Sequence, residues 1–288
     1  MDQRGASPTA QRPAGGMSEA ELLVGAVRED IRHTLRVAWV HPGIEAAADH
    51  PIFLAAAWSA IRPNVGKSFD ALTRTLGGAA VESLRAMGPV PDLRASMGRL
   101  RSEPEVRRMV ESAAAAQFDA ARNEVAVHLL SCAVRGESVG GTGAEEPPVR
   151  RGIPDWQRWM AVARVPAAAG QFLGQAERVL NSPSAPPVLR LLAHWPDALE
   201  ATWTQLRPLA TSDAWRRSAV RLRWAVRAGV RRLPHPVAVQ WRALRRRGFS
   251  EEGQAELRRV MAVHDRAMPG DTLTAAFVWL AFGEPDGA

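Results

Sequence analysis

Pro51-Ile52-Phe53-Leu54-Ala55-Ala56-Ala57-Trp58-Ser59-Ala60-Ile61-Arg62-Pro63 recurs 145 residues later as Pro196-Asp197-Ala198-Leu199-Glu200-Ala201-Thr202-Trp203-Thr204-Gln205-Leu206-Arg207-Pro208, and this pairing decides the fold. Without a gap, both prolines coincide, as do Leu54 with Leu199, Ala56 with Ala201, Trp58 with Trp203 and Arg62 with Arg207. In a chain of 288 residues with ten tryptophans, two of them in one register indicate a copied unit rather than two similar alanine-rich helices. Upstream, Arg36-Val37 pairs with Arg178-Val179 if three residues are inserted before Pro187. Two halves of one helical design pack about a pseudo-two-fold axis, because the apolar face left over by one half is complementary to its copy. A cavity between them is the natural place for a small ligand.

Reading outward, Ser18 precedes Glu21 by three positions, a capping box for a helix over 19–37. Leu23, Val27, Ile31 and Leu35 follow as one buried stripe. Further helices are expected over 43–61, 68–87 and 104–134, separated by Arg62-Pro63 and Gly88-Pro89-Val90-Pro91. No alternating β-branched run, no Asn-Gly hairpin and no tyrosine is present, so the expected class is all-α. Gly136 opens a stretch rich in Gly, Glu and Pro (GESVGGTGAEEPPVRRG). The expected organisation is a tail over 1–17, a helical repeat over 18–135, a linker over 136–165, a second repeat over 166–283 and a short tail over 284–288.

Composition narrows the function classes. Of 37 basic residues against 30 acidic ones, only Lys67 is a lysine, which reads as coding bias rather than as a chosen partner. The single cysteine, Cys132, rules out an internal disulfide and a cysteine-rich metal site, and its neighbours Leu129, Leu130 and Val134 imply a buried, inert thiol. The first seventeen residues have no apolar core of a signal peptide, and no apolar run reaches membrane-spanning length, so a cytoplasmic protein without membrane contact is expected. Neither a His-Glu-x-x-His pair, a phosphate-cradling glycine loop nor a G-x-S-x-G elbow is present.

Glu29-Asp30-Ile31-Arg32-His33-Thr34-Leu35-Arg36-Val37-Ala38-Trp39-Val40 resembles the first-repeat motif of the group I 2-haloacid dehalogenases. The resemblance continues through residues 51–64, Asn123-Glu124-Val125 and Arg190-Leu191-Leu192-Ala193-His194-Trp195-Pro196, and it spans most of residues 20–283. It implies two helical repeats with the active site between them and no cofactor or metal. It also implies hydrolysis of D- and L-2-haloacids by direct attack of water on C2, without an ester intermediate. In that chemistry a carboxylate takes the proton of the attacking water, an asparagine helps to hold the water, and a tryptophan lines the cavity.

Carried over position by position, Trp39 matches the cavity tryptophan, Pro42 another cavity position and Asn123 the water-holding asparagine. The family's aspartate lies seven positions before the second repeat's Trp-Pro pair, which here is Val188, a side chain unable to accept a proton. His41 and His194 are the candidate substitute bases, since neutral histidine is the common general base near pH 7. His50, Asp49 and Asp197 lie close to them in sequence. Pro269 is expected to interrupt the closing helix. The helix over 212–233 carries Arg216, Arg223, Arg227 and Arg231 beside an apolar stripe of Trp215, Leu222, Val226 and Val230. A solvated arginine face explains it, and no nucleic-acid motif accompanies it. Three function classes are open: a 2-haloacid dehalogenase-like hydrolase, an inactive relative that binds a small carboxylic acid or a protein, and, least favoured, a basic nucleic-acid-associated protein. A small carboxylic acid is the expected partner, and a homo-oligomer is compatible with the sequence.

Overall fold

The computed structural model describes residues 18–143 and 169–283; the tails over 1–17 and 284–288 and the linker from 144 onward lie outside the described residues. The order is α1 (Glu19–Leu35), α2 (Pro42–Ala46), α3 (Pro51–Ile61), α4 (Lys67–Arg85), α5 (Leu93–Gly98) and α6 (Glu103–Arg135), then α7 (Gly170–Leu180), α8 (Pro187–Leu192), α9 (Pro196–Ala210), α10 (Asp213–Val230), α11 (Trp241–Arg246) and α12 (Glu251–Phe282). The fold is all-α, and among the described residues the only extended pairing is an isolated bridge between Val139 and Val237.

Local chemistry sets most boundaries. Ser18 and Glu21 form the anticipated reciprocal cap on α1. That helix stops at Arg36, which takes the left-handed conformation (φ 57°). The helix expected over 43–61 is instead α2, a 3-10 turn at Ala47–Asp49, and α3. Pro51 has no N–H to donate and disfavours helical geometry at His50, whose backbone lies outside the helical region (φ −123°, ψ 71°). Pro269 does not interrupt the closing helix: α12 runs unbroken from Glu251 to Phe282. An interior proline costs about 3 kcal/mol in an isolated helix, but this one is buried against the rest of the core, where tertiary packing holds the backbone helical.

α6 and α12 form the central pair and are buried on most sides through residues 119–134 and 264–282. Their contacts run in opposite directions: Glu124 meets Thr272, His128 meets Asp265, and the Gln254 side chain reaches the Val134 carbonyl, so the pair is antiparallel. Alanines such as Ala113, Ala116, Ala126, Ala275 and Ala276 let the core elements approach closely. α3 packs on α1 and α9 on α7. The buried Trp58 donates its indole N–H to Asp30 (2.7 Å) and the buried Trp203 donates its own to Gln175 (2.9 Å), in each case 28 residues earlier.

The two halves present these elements in the same order. α1 and α7 end at residues 145 apart, as α2 and α8, and α3 and α9, begin. For α6 and α12 the separation of the first residues is 148. α7 ends on Asn181 in the left-handed conformation (φ 49°), as α1 ends on Arg36. Arg178, which the sequence comparison set against Arg36 with three inserted residues, lies inside α7 rather than at its end.

Trp215, Leu222, Val226 and Val230 of α10 are buried, whereas Arg216, Arg227 and Arg231 are exposed. Arg223 is half-buried and donates to the Arg266 carbonyl (2.8 Å). The opening of the linker is pinned to the chain after α10 by Val237 N–H to Val139 O (2.8 Å) and Gly141 N–H to Leu233 O (2.9 Å). Gly140, at φ 80°, is required there, since a Cβ would stand 2.7 Å from the His235 carbonyl oxygen.

Candidate active site

The α1–α2 connection is shaped by two polar residues one turn apart on α6. Asp119 accepts the Ala38 N–H (2.8 Å), and Asn123 accepts the His41 N–H (3.2 Å) through Oδ1. The Asn123 amide nitrogen donates to the carbonyls of Trp39 (3.4 Å) and Asp119 (3.0 Å). Both side chains are buried, where an unpaired backbone N–H would be costly, so this clasp fixes the loop.

His41 caps α2. Its Nδ1 accepts the Gly43 N–H (3.0 Å) and its Nε2 faces Asp271 Oδ2 of α12 (2.9 Å). A backbone N–H can only donate, so Nδ1 is the acceptor and Nε2 carries the proton given to the carboxylate. Asp271 is 2% exposed, and its second oxygen, Oδ1, has no hydrogen-bond partner. Burial pushes the Asp271 carboxyl above the usual carboxylate range, while the hydrogen bond from His41 opposes that rise. His264 packs edge-on to His41 (5.8 Å between ring centroids), and burial, assisted by His41, lowers it to about 4, so it is neutral at physiological pH.

These groups surround a small cavity whose walls include Trp39, His41, Asn123, Val188, Met268 and Asp271. It encloses about 10 Å³, roughly the space of one water. The first half contributes Trp39, His41 and Asn123, and the second contributes Val188 and Asp271. Four of the six sequence-chosen positions therefore converge. Pro42 and His194 are not among the cavity walls. Pro42 opens α2 and is half-buried. His194 is exposed in the turn between α8 and α9, edge-on to Trp195. Nearby Asp197 is occupied by a two-point ion pair with Arg101 (3.1 and 2.6 Å).

Asp271 was missed by the sequence reading, although a signal for it existed. Asn123 stands 21 residues after the Ser102 cap of α6, and Asp271 stands 21 residues after the Ser250 cap of α12. Extending the comparison of the halves to those caps would have set the two polar residues opposite each other. One position further, Glu124 accepts a hydrogen bond from Thr272 through Oε2, and burial pushes its carboxyl up to about 7. Cys132 is buried beside His128 (3.6 Å), and burial raises its thiol to about 12, in keeping with an inert side chain. Among the described residues no group of three or more His, Cys, Asp or Glu side chains is placed to hold a metal ion, and no helix is long and apolar enough to cross a membrane.

Gly43 is packed tightly into this arrangement. A Cβ there would lie 2.9 Å from His264 Cβ and 3.2 Å from His41 Nδ1. Gly43→Ala is expected to lower stability by about 1–3 kcal/mol, as overpacking does, and thermal unfolding measures it. An unchanged midpoint would show that the two histidines have room to move.

No family model matches the chain. In sequence it is similar to the configuration-inverting 2-haloacid dehalogenase of Pseudomonas sp. (strain 113), 24% identical over 282 residues, which covers 94% of this chain and 91% of that protein. In fold it is similar to a D-2-haloacid dehalogenase mutant, with a TM-score of 0.81 and 16% identity over 90% of this chain and 91% of the other. The complex of such a mutant with D-2-CPA gives 0.81 and 17% over 91% and 92%, and the complex of a D-2-haloacid dehalogenase with L-LA gives 0.81 and 16% over 97% and 100%. The resemblance read from the sequence and the all-α fold agree with these relatives.

Proposed function

We propose, from the premise that this chain is a divergent relative of the 2-haloacid dehalogenases, that it is a hydrolase of small 2-halocarboxylic acids whose base is Asp271. The observation carrying this reading is a buried carboxylate with one unpartnered oxygen, held by a histidine N–H, in the cavity that also contains Val188. Water seated at Asp271 Oδ1 gives up a proton to that oxygen as its own oxygen attacks C2. The C2–halogen bond breaks with its electron pair leaving on the halide, and the product is the 2-hydroxy acid of inverted configuration. His41 keeps the carboxylate oriented and favours its ionised form. His41 is not itself the base, because Nε2 carries a proton and Nδ1 is engaged by Gly43. Asn123 acts as a positioning residue, since its amide is committed to the loop.

The shared spacing of the α1/α7 ends and of the α2/α8 and α3/α9 starts, of the left-handed terminators and of the two tryptophan hydrogen bonds supports reading 18–135 and 166–283 as copies of one unit joined by 136–165. In that reading the cavity lies between the copies, as the family resemblance implies. At about 10 Å³ it admits a water but not an acid, so binding requires the wall to yield; Met268, unbranched and adaptable, is the side chain suited to do so.

The test is chloride release from each enantiomer of 2-chloropropionate by the purified protein, with the configuration of the hydroxy acid determined. Release above the heat-treated control with inversion at C2 is expected. No release from either enantiomer overturns the hydrolase reading. It would favour the second reading, an acid-binding relative without chemistry, for which the apolar Val188 and the small cavity are the supporting observations.

A further inference from the structure

A larger groove of about 610 Å³ lies along the other side of α6, bordered by α4, by the end of α1 and by Trp279 of α12. Its walls carry Arg36, Arg74, Arg85 and Arg122, against the single lining carboxylate Asp70. Arg122 is the unusual member. Only 2% of it is exposed, its Nη2 is paired with Asp70, and its Nε and Nη1 have no hydrogen-bond partner. The guanidinium is covered by the rings of Phe118 (4.5 Å to the centroid) and Phe69 (5.7 Å). Buried N–H groups of a charged side chain are normally satisfied, because leaving them unpaired forfeits hydration without recompense. Asp119, which contributes favourable charge to Arg122, already accepts the Ala38 N–H through Oδ2.

We propose that this groove binds an organic carboxylate with an apolar body, its carboxylate on Arg122 and its chain along Phe118, Val81 and Trp279. Three arginines around the groove raise the local concentration of anions, and a guanidinium meets a carboxylate with charge-assisted hydrogen bonds. Access to the guanidinium requires the Phe118 ring, 38% exposed at the groove, to move aside. The groove and the small cavity share the 36–39 segment, Arg36 lining one and Trp39 the other. The groove site nevertheless stands independently of the proposed hydrolase activity.

The test uses hexanoate, a carboxylate with a short apolar chain, titrated into the full chain by calorimetry with hexanol as the uncharged control. Saturable binding of hexanoate without binding of hexanol is expected. Arg122→Gln should weaken it by roughly tenfold or more, from loss of charge-assisted bonds. The double variant Arg74→Gln/Arg85→Gln, at exposed positions that leave the fold alone, should weaken it several-fold and flatten its salt dependence. Asp271→Asn should leave it unchanged, which separates this site from the cavity. Equal affinity for hexanol, no detectable hexanoate binding, or affinity indifferent to both arginine variants would overturn the proposal. Should Arg122→Gln fail to fold, the exposed double variant decides alone.

Discussion

Asp271→Asn is expected to lower halide release by about a hundred- to ten-thousand-fold, the usual worth of a positioned general base, while the protein stays folded. Asparagine keeps the shape, and its amide oxygen still accepts the His41 Nε2–H, so the contact between α12 and the α1–α2 loop survives. What is lost is the oxygen able to take a proton from water. Wild-type activity should rise with pH as the carboxyl ionises. Burial sets that rise above the ordinary carboxylate range, and His41 holds it back. A halide release rate indifferent to this substitution would remove Asp271 from the mechanism. The same geometry bears on Val188→Asp, the change that supplies the aspartate implied at this position by the sequence resemblance. In the wild-type background it places a second carboxylate in the small cavity that already holds Asp271, and two buried like charges force one to stay protonated. Restoration is therefore expected only in the double variant Val188→Asp/Asp271→Asn, where a single carboxylate faces Asn123 and Trp39.

The second large effect is on stability. Glu124 is buried between α6 and α12, with Oε1 unpartnered and its carboxyl raised from 4.5 to about 7 in the folded chain. The folded state binds this proton more tightly than the unfolded one. The stability it contributes is therefore fully present below pH 4.5, is lost as the pH rises through the folded value near 7, and does not return above it. The loss is on the order of 3 kcal/mol. Glu124→Gln, which keeps an oxygen for the Thr272 hydroxyl and never ionises, should match wild type near pH 5 and exceed it at pH 8. At roughly 2–4 °C per kcal/mol for a chain of this size class, the midpoint gain at pH 8 is about 6–12 °C. Thermal melts at both pH values measure it, and a gain of equal size at pH 5 would assign the effect to packing instead.

Features that depend on neighbours in sequence were legible before any coordinates. The Ser18–Glu21 cap, the buried stripe of α10 and the all-α class follow from helical period and cap chemistry. Proline was legible only in part. Pro51 broke the expected helix because its local constraint acted unopposed, whereas Pro269 did not because the core packed around α12 outweighed it. The site divides the same way. Trp39, Asn123 and Val188 were placed by a motif, but the bond that organises the cavity joins His41 to Asp271 across 230 residues. Sequence ranked His41 and His194 alike as loop histidines beside a helix. Only tertiary structure separated them, burying one between a backbone N–H and a carboxylate and leaving the other in solvent, because burial and hydrogen-bond partnership are set by which elements meet in space rather than by which residues adjoin in the chain.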